Sequence, residues 1–353
     1  MVQCPRLLER KDSELEALYS SDAIQRARGI DRHMVSVGAY SHSKGHKFIR
    51  DHIAKFLEER DGYPADPENI FLTDGASEGI KRVLSCVIGG EKCGILLPIP
   101  QYPLYSAAVT LLGGSIVPYF LDESENWDLS IEELERSLNS AKLQGVQVRA
   151  MCLINPGNPT GNHFSEYTLK GVAKFCYDNR IVLLADEVYQ ANIYDGRPFN
   201  SMKKIVCDLR LELELFSFHS TSKGFVGECG KRGGYLECHN IDPAVIEEIY
   251  KLASICLCPN TDGQLMVDLM ICPPKAGDPS YKLYEEERHQ VCQSLKRRAL
   301  KLTDALNSLE GVKCCLPAGA LYLFPSIDLP QKFIDEAESL SRSPDDLYCL
   351  KLL

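Results

Sequence analysis

Residues 181–190 read Ile181-Val182-Leu183-Leu184-Ala185-Asp186-Glu187-Val188-Tyr189-Gln190, and residues 215–224 read Leu215-Phe216-Ser217-Phe218-His219-Ser220-Thr221-Ser222-Lys223-Gly224. Each is a short apolar run that ends abruptly in polar, chemically capable residues. The five apolar residues Ile181–Ala185, with no polar alternation, read as a strand covered on both faces, which is the signature of a parallel sheet between helices. Working outward, runs of the same kind occur at 69–73, 94–97, 115–120, 148–154 and 234–237. Amphipathic stretches lie between or before them at 49–60, 77–87, 101–112, 130–139, 166–179 and 243–253. Strand and helix in alternation predict an α/β fold, a three-layer sandwich around a mainly parallel seven-stranded sheet.

Ligands of such sheets bind beyond the carboxyl ends of the strands, so the polar residues that follow each run are the candidates for chemistry. Lys223 is delivered by a buried strand onto a turn of small hydroxyl residues. A surface role is the ordinary fate of a lysine, but this is also where an amine that forms a Schiff base would sit. The cofactor such a lysine would hold is pyridoxal phosphate, and it needs four further things: an acid for its ring nitrogen, donors for its ring oxygen, a phosphate cradle and a flat surface against its ring. Asp186 is the candidate acid, with a helix N-cap as its alternative reading. Tyr189, three residues on, is a candidate donor. Asn158, in the rigid turn Asn155-Pro156-Gly157-Asn158-Pro159-Thr160-Gly161, is the other.

The cradle has several candidate parts. Thr73-Asp74-Gly75-Ala76-Ser77-Glu78 leads from a strand into a helix, whose first N–H groups are free to meet an anion. Ser220 offers a hydroxyl. Arg232, in Gly230-Lys231-Arg232-Gly233-Gly234, offers a planar fork suited to phosphate, with Lys231 as the alternative. Tyr102, in Pro100-Gln101-Tyr102-Pro103-Leu104-Tyr105, is the candidate ring to stack on the cofactor.

Taken with Leu97–Tyr105, Ile154–Gly161, Leu184–Gln190 and Ser217–Gly234, this set resembles the fold-type I, aspartate-aminotransferase-like family of pyridoxal phosphate enzymes, and within it the alanine aminotransferases. The resemblance runs from about Gly38 to the last residue. It implies Lys223 as the Schiff-base lysine, Asp186 at the ring nitrogen, and Asn158 and Tyr189 at the ring oxygen. It implies Ala76, Ser77, Ser220 and Arg232 at the phosphate and Tyr102 on the ring. Tyr40, in Gly38-Ala39-Tyr40-Ser41, matches the tyrosine that such dimers extend to the neighbouring subunit's phosphate, so a homodimer is implied. The implied reaction is ping-pong exchange of an amino group, L-alanine and 2-oxoglutarate giving pyruvate and L-glutamate. A glyoxylate-linked aminotransferase is an alternative, and a weakly active or inactive shortened form is another. The family's arginine for the substrate carboxylate lies beyond the segment that matches Leu347–Leu353, and Arg342 lies outside any motif. A glycine fingerprint for a nicotinamide cofactor at Gly224, Gly227 and Gly230 has the wrong spacing and follows a lysine rather than opening a βα turn.

The rest of the sequence bounds the setting. The chain has 353 residues, with 39 Lys and Arg against 49 Asp and Glu, a net charge of −10. Such a balance, with only Lys296-Arg297-Arg298 as a short basic run, argues against nucleic acid as a partner. No apolar run reaches membrane-spanning length. The 15 cysteines form no Cys-x-x-Cys pair, His42 and His46 lack a third ligand, and no metal site is expected. Reduced thiols and the absence of a signal-like N-terminus make the cytoplasm the expected compartment, or the mitochondrion if the natural N-terminus is longer. The expected division is an N-terminal arm and small-domain segment at 1–40, a large cofactor-binding domain at 41–261 and a smaller, truncated α+β domain at 262–353. That last domain is expected to begin with a Pro-rich loop and the charged helix 281–309, followed by strand-like pieces at 311–315 and 319–324. Because the chain stops inside an apolar run, a piece of a longer protein is expected.

Overall fold

The computed structural model describes residues 1–34 and 36–353. Its centre is a seven-stranded sheet: β1 (Ile70–Thr73), β2 (Cys93–Ile99), β3 (Ser115–Phe120), β4 (Gln147–Ile154), β5 (Val182–Asp186), β6 (Leu215–Ser220) and β7 (Gly234–His239). The spatial order is β1-β7-β6-β5-β4-β2-β3. Only β7 runs against its neighbours, pairing antiparallel with both β1 and β6, so the other six strands point the same way. All seven strands expected for this sheet are present, displaced by no more than two residues at either end.

The helices are α1 (Asp12–Leu15), α2 (Ser21–His33), α3 (Lys47–Asp61), α4 (Ala76–Val87), α5 (Leu104–Leu111), α6 (Ile131–Leu143), α7 (Glu166–Asn179), α8 (Met202–Asp208), α9 (Pro243–Ile255), α10 (Thr261–Ile271), α11 (Tyr281–Asn307), α12 (Gln331–Ser339) and α13 (Pro344–Leu352). Their starts follow from local chemistry. The hydroxyls of Ser130, Ser165 and Ser201 accept the N–H three residues on, and Asn260 does the same for Gly263. Pro103 delays α5 to Leu104, three residues later than the pattern of apolar residues suggested.

Alternation along the strands separates two apolar layers. Ile95, Leu97, Cys152, Leu184, Phe216 and Leu236 face one side, where they pack with Ile80, Val83 and Leu84 of α4, Val109 of α5 and Ile249 of α9. Leu96, Met151, Leu153, Leu183 and Leu215 face the other, where they meet residues of α6, α7 and α8. A third cluster packs Ile49, Ile53 and Leu57 of α3 with Val267 and Ile271 of α10 on the β1–β7 edge. The result is the three-layer α/β sandwich. The same alternation puts Asp186 and Ser220 on the α4–α5 side, in line with Leu184 and Phe218, and puts His219 on the opposite side.

Three features add to the sequence expectation or differ from it. The 1–40 stretch contains α2, whose Ile24, Ala27 and Ile30 are buried. Residue 262 falls in the first turn of α10, which packs on α3 and β7, so the irregular Pro273-Pro274 stretch comes after that helix. The Gly319–Phe324 strand does not form, and β8 (Val312–Lys313) pairs instead with β9 (Ser326–Ile327). Residues 317–322 are drawn back onto the main body. Gly319 N–H donates to the Gly161 carbonyl at 2.8 Å, Ala320 N–H to the Asn192 carbonyl at 2.9 Å, and the Tyr194 hydroxyl to the Ala320 carbonyl at 2.6 Å. Only glycine permits this approach, because a Cβ on Gly319 would lie 2.6 Å from the Asn192 carbonyl oxygen. Among the described residues no helix is long and apolar enough to cross a membrane.

Candidate active site

At the carboxyl edge of β4, β5 and β6 lies a cavity of about 330 Å³. Ala76, Ser77, Tyr102, Asn158, Asp186, Tyr189, Ser220, Lys223 and Arg232 all line it. Residues from five separate stretches of the sequence thus share one pocket. Lys231, the alternative to Arg232, lines a different cavity. Asn155 turns away and accepts the Phe164 N–H, leaving Asn158 as the amide in the pocket. Tyr40 is 79% exposed and does not line the cavity of its own chain.

Asp186 ends β5 and is buried. One carboxylate oxygen accepts the Tyr105 hydroxyl at 2.8 Å, and the other accepts the Val188 N–H at 3.3 Å. Burial pushes the Asp186 carboxyl up. The Tyr105 hydroxyl, the Val188 N–H and the positive charge of Lys223 pull it back. The helix-cap reading of Asp186 therefore does not describe it: α8 begins only at Met202, with Ser201 as its cap.

Lys223 is half-buried, with its Nζ 5.3 Å from the centre of the Tyr189 ring and 3.4 Å from the Tyr322 hydroxyl. The Tyr189 hydroxyl donates to that of Tyr322 at 3.0 Å, and the Asn158 amide donates to Tyr189 at 3.3 Å. Burial, then the Tyr322 hydroxyl beside it, keep the Tyr189 phenol protonated well above its ordinary range. Asn158, Tyr189 and Lys223 therefore form one polar chain on the side of the cavity toward Tyr322.

The other end is shaped for an anion. The first turn of α4 opens at Ala76 behind Gly75, with no side-chain cap on its N–H groups. Gly75 has φ +78°, and a Cβ there would fall inside the Arg232 guanidinium. Arg232 donates to the Asp74 carbonyl at 2.9 Å and lies 3.4 Å from the Ser77 hydroxyl. Ser220, buried at the end of β6, adds its hydroxyl. This bare helix end, guanidinium and hydroxyl pair could hold a phosphate dianion.

Two contributors escape sequence reasoning. Tyr322 reaches the site only because 317–322 folds back, which no local pattern announces. Tyr105 is visible in the sequence only as the last residue of the Pro100–Tyr105 run. Its place in the first turn of α5, just beyond the end of β2, is the signal that points to its hydroxyl, and its ring is fully buried. Glu187 and His219 point away from the cavity. Glu187 accepts the Met202 N–H at 2.8 Å and lies 3.4 Å from Arg60, which anchors the 186–190 turn from behind. His219 packs edge-on against Tyr235, and burial pushes its imidazole down to about 3.

A family model described as aminotransferase class I and II matches residues 19–346. The chain belongs to the class I and II aminotransferases. Glutamate–glyoxylate aminotransferase 2 of Arabidopsis thaliana is 51% identical, over 100% of this chain and 74% of its own length. The probable mitochondrial alanine aminotransferase of Dictyostelium discoideum is 50% identical, over 100% of this chain and 67% of its own length. Among solved structures, an alanine aminotransferase from Pyrococcus furiosus superposes with a TM-score of 0.73 at 25% identity, over 83% of this chain and 69% of that one. The chain is thus a transferase of the fold-type I class, whose members use pyridoxal phosphate and act on small amino and keto acids.

Proposed function

We propose that this aminotransferase exchanges an amino group between L-alanine and 2-oxoglutarate, with pyridoxal phosphate held in the 330 Å³ cavity. The observation that carries the reading is the convergence of Lys223 and buried Asp186 on that one cavity, with the anion cradle at its other end. The residues fit the cofactor. The bare first turn of α4 and the space that Gly75 leaves open before Arg232 suit a phosphate. The buried Asp186 carboxylate lacks a fixed cation within hydrogen-bond reach among the described residues, and a protonated ring nitrogen would supply one.

When bound, pyridoxal phosphate supplies an aldehyde that condenses with amines and a ring that accepts an electron pair. Lys223 would hold it covalently. Asp186 would keep the ring nitrogen protonated, with Tyr105 holding the carboxylate oriented. Asn158 and Tyr189 would bind the ring oxygen, Tyr102 would cover the ring face, and Ala76, Ser77, Ser220 and Arg232 would bind the phosphate. With the cofactor bound, the Lys223 amine would carry the substrate's α-proton as general base and acid. Two copies of the chain would assemble so that each Tyr40 reaches the other's phosphate. Its exposure is compatible with that role.

Among the described residues the cations lining the cavity are Lys223 and Arg232, both already engaged in this scheme, and Arg342 is exposed in the turn between α12 and α13. A second reading, glutamate with glyoxylate, is favoured by the 51% identity to an enzyme of that name. The test is to supply the pure chain with pyridoxal phosphate and each substrate pair. Pyruvate formation with parallel double-reciprocal lines supports the first reading, and glycine formation from glyoxylate and glutamate supports the second. Failure of every pair at high substrate would refute both.

A further inference from the structure

Far from the cavity, α3 and α10 bring three ligand chemistries together. His52 projects from α3 with its side chain 45% exposed. Asp268 and Cys272 are four residues apart at the end of α10 and so share one of its faces. His52 Nδ1 lies 2.6 Å from Asp268 Oδ1, and with the Cys272 sulfur these ligand atoms all fall within 4.8 Å of one another. Asp268 is 2% exposed, so the set has a buried floor and an open side at His52. Cys272 caps α10, where the last carbonyls concentrate partial negative charge that favours a cation.

We propose that His52, Asp268 and Cys272 form a binding site for a zinc-class divalent cation, with water in the fourth position. One nitrogen, one carboxylate oxygen and one thiolate are the donor mixture zinc accepts, whereas magnesium and calcium take oxygen alone. Bonds of about 2.0–2.3 Å in a tetrahedron put ligand atoms roughly 3.3–3.8 Å apart, so the His52–Asp268 pair, now 2.6 Å apart, must open by about 0.7 Å while the Cys272 sulfur closes by up to about 1 Å. The exposed His52 ring and the terminal position of Cys272 allow that. Arg26 opposes the cation, 4.0 Å from Asp268 Oδ2, but it bonds the Asp268 backbone carbonyl and leaves Oδ1 to face His52.

Such a cation would tie α3 to α10. The far end of α10 rests on the anion cradle: the Asn260 N–H donates to the Asp74 carboxylate at 2.7 Å, and a Cβ on Gly263 would lie 2.8 Å from the Lys231 carbonyl. The tie would therefore brace the helix that supports the Arg232 turn. Sequence reading could not reach this site, because its members lie on distant helices and no short motif contains them.

The test uses the full chain, reduced and stripped with a chelator, alkylated with iodoacetamide and read peptide by peptide by mass spectrometry. A slight excess of Zn²⁺ should slow alkylation of Cys272 by about tenfold or more, as occupancy at roughly ten times Kd requires, and Mg²⁺ should not. Cys256 and Cys315 should react unchanged. His52→Gln, at a half-exposed helix position, should abolish the protection while leaving the circular dichroism spectrum intact. With Co²⁺, the thiolate-to-metal charge-transfer band should vanish in Cys272→Ser. Alkylation of Cys272 at the same rate with and without Zn²⁺, protection that survives His52→Gln, or a band that survives Cys272→Ser would each overturn the proposal, the latter two by showing adventitious thiol binding.

Discussion

Tyr105→Phe removes one oxygen atom and leaves the buried ring in place. That oxygen donates to Asp186 at 2.8 Å, and both side chains are buried. A hydrogen bond to a charged group contributes about 1.5–3 kcal/mol, and one pKa unit corresponds to about 1.4 kcal/mol. Losing the bond should therefore raise the Asp186 carboxyl further, beyond the elevation that burial already imposes. A protonated Asp186 cannot pair with a cationic ring nitrogen. Pyridoxal phosphate affinity in the variant should fall by about tenfold to a hundredfold, and its acid limb should move to higher pH by the same amount as the carboxyl. The assay is equilibrium titration of cofactor from about pH 5 to 9, with Asp186→Asn as the limiting case. Affinity within about twofold of the parent at every pH would refute the idea that the Tyr105 hydroxyl holds Asp186 in its working state.

Gly75→Ala should cost about 1–3 kcal/mol in stability, because its φ of +78° disfavours any side chain, and should weaken phosphate binding further by displacing Arg232. Urea unfolding and inorganic phosphate titration check the two parts. Lys203 and Glu237 form an ion pair at 2.5 Å with exposures of 0% and 3%, so Lys203→Met should destabilise by about 3–5 kcal/mol, and adding Glu237→Leu should recover much of the loss. Equal destabilisation by the single and double variants would contradict this. His219 and His239 are pushed down to about 3 and about 4, chiefly by burial. Below about pH 6.5 the unfolded chain binds protons that the folded chain refuses, so stability should fall with acid by up to about 1.4 kcal/mol per pH unit per group, down to about pH 4. Replacing His239 with Asn should flatten that slope in urea midpoints measured between about pH 4.5 and 7.

Much of the fold is legible because a parallel sheet writes itself as unbroken apolar runs. Ser115–Phe120 has the strand bounds read from its residues, and Glu166–Asn179 has the helix bounds read from its own. The cavity residues could be nominated together because each follows a strand closely or opens the next helix, where an α/β sheet binds ligands. Contacts made by returning chain are not legible. The Gly319–Phe324 stretch has the composition of a strand, but backbone contacts with Gly161 and Asn192 take its hydrogen bonds and bring Tyr322 to Lys223. α2 is hidden because its polar residues dilute the apolar stripe of Ile24, Ala27 and Ile30. The His52, Asp268 and Cys272 cluster exists only through the packing of α3 on α10.

The claim that Lys223 is the amine that binds the cofactor can be tested by chemical trapping. The full chain is incubated with pyridoxal phosphate, reduced with borohydride, digested and mapped by mass spectrometry. The account predicts a phosphopyridoxyl group on the peptide that carries Lys223, formed in stoichiometric amount and absent from Lys223→Ala. A label found chiefly on Lys231, Lys44 or another lysine, with Lys223 unmodified, would contradict it.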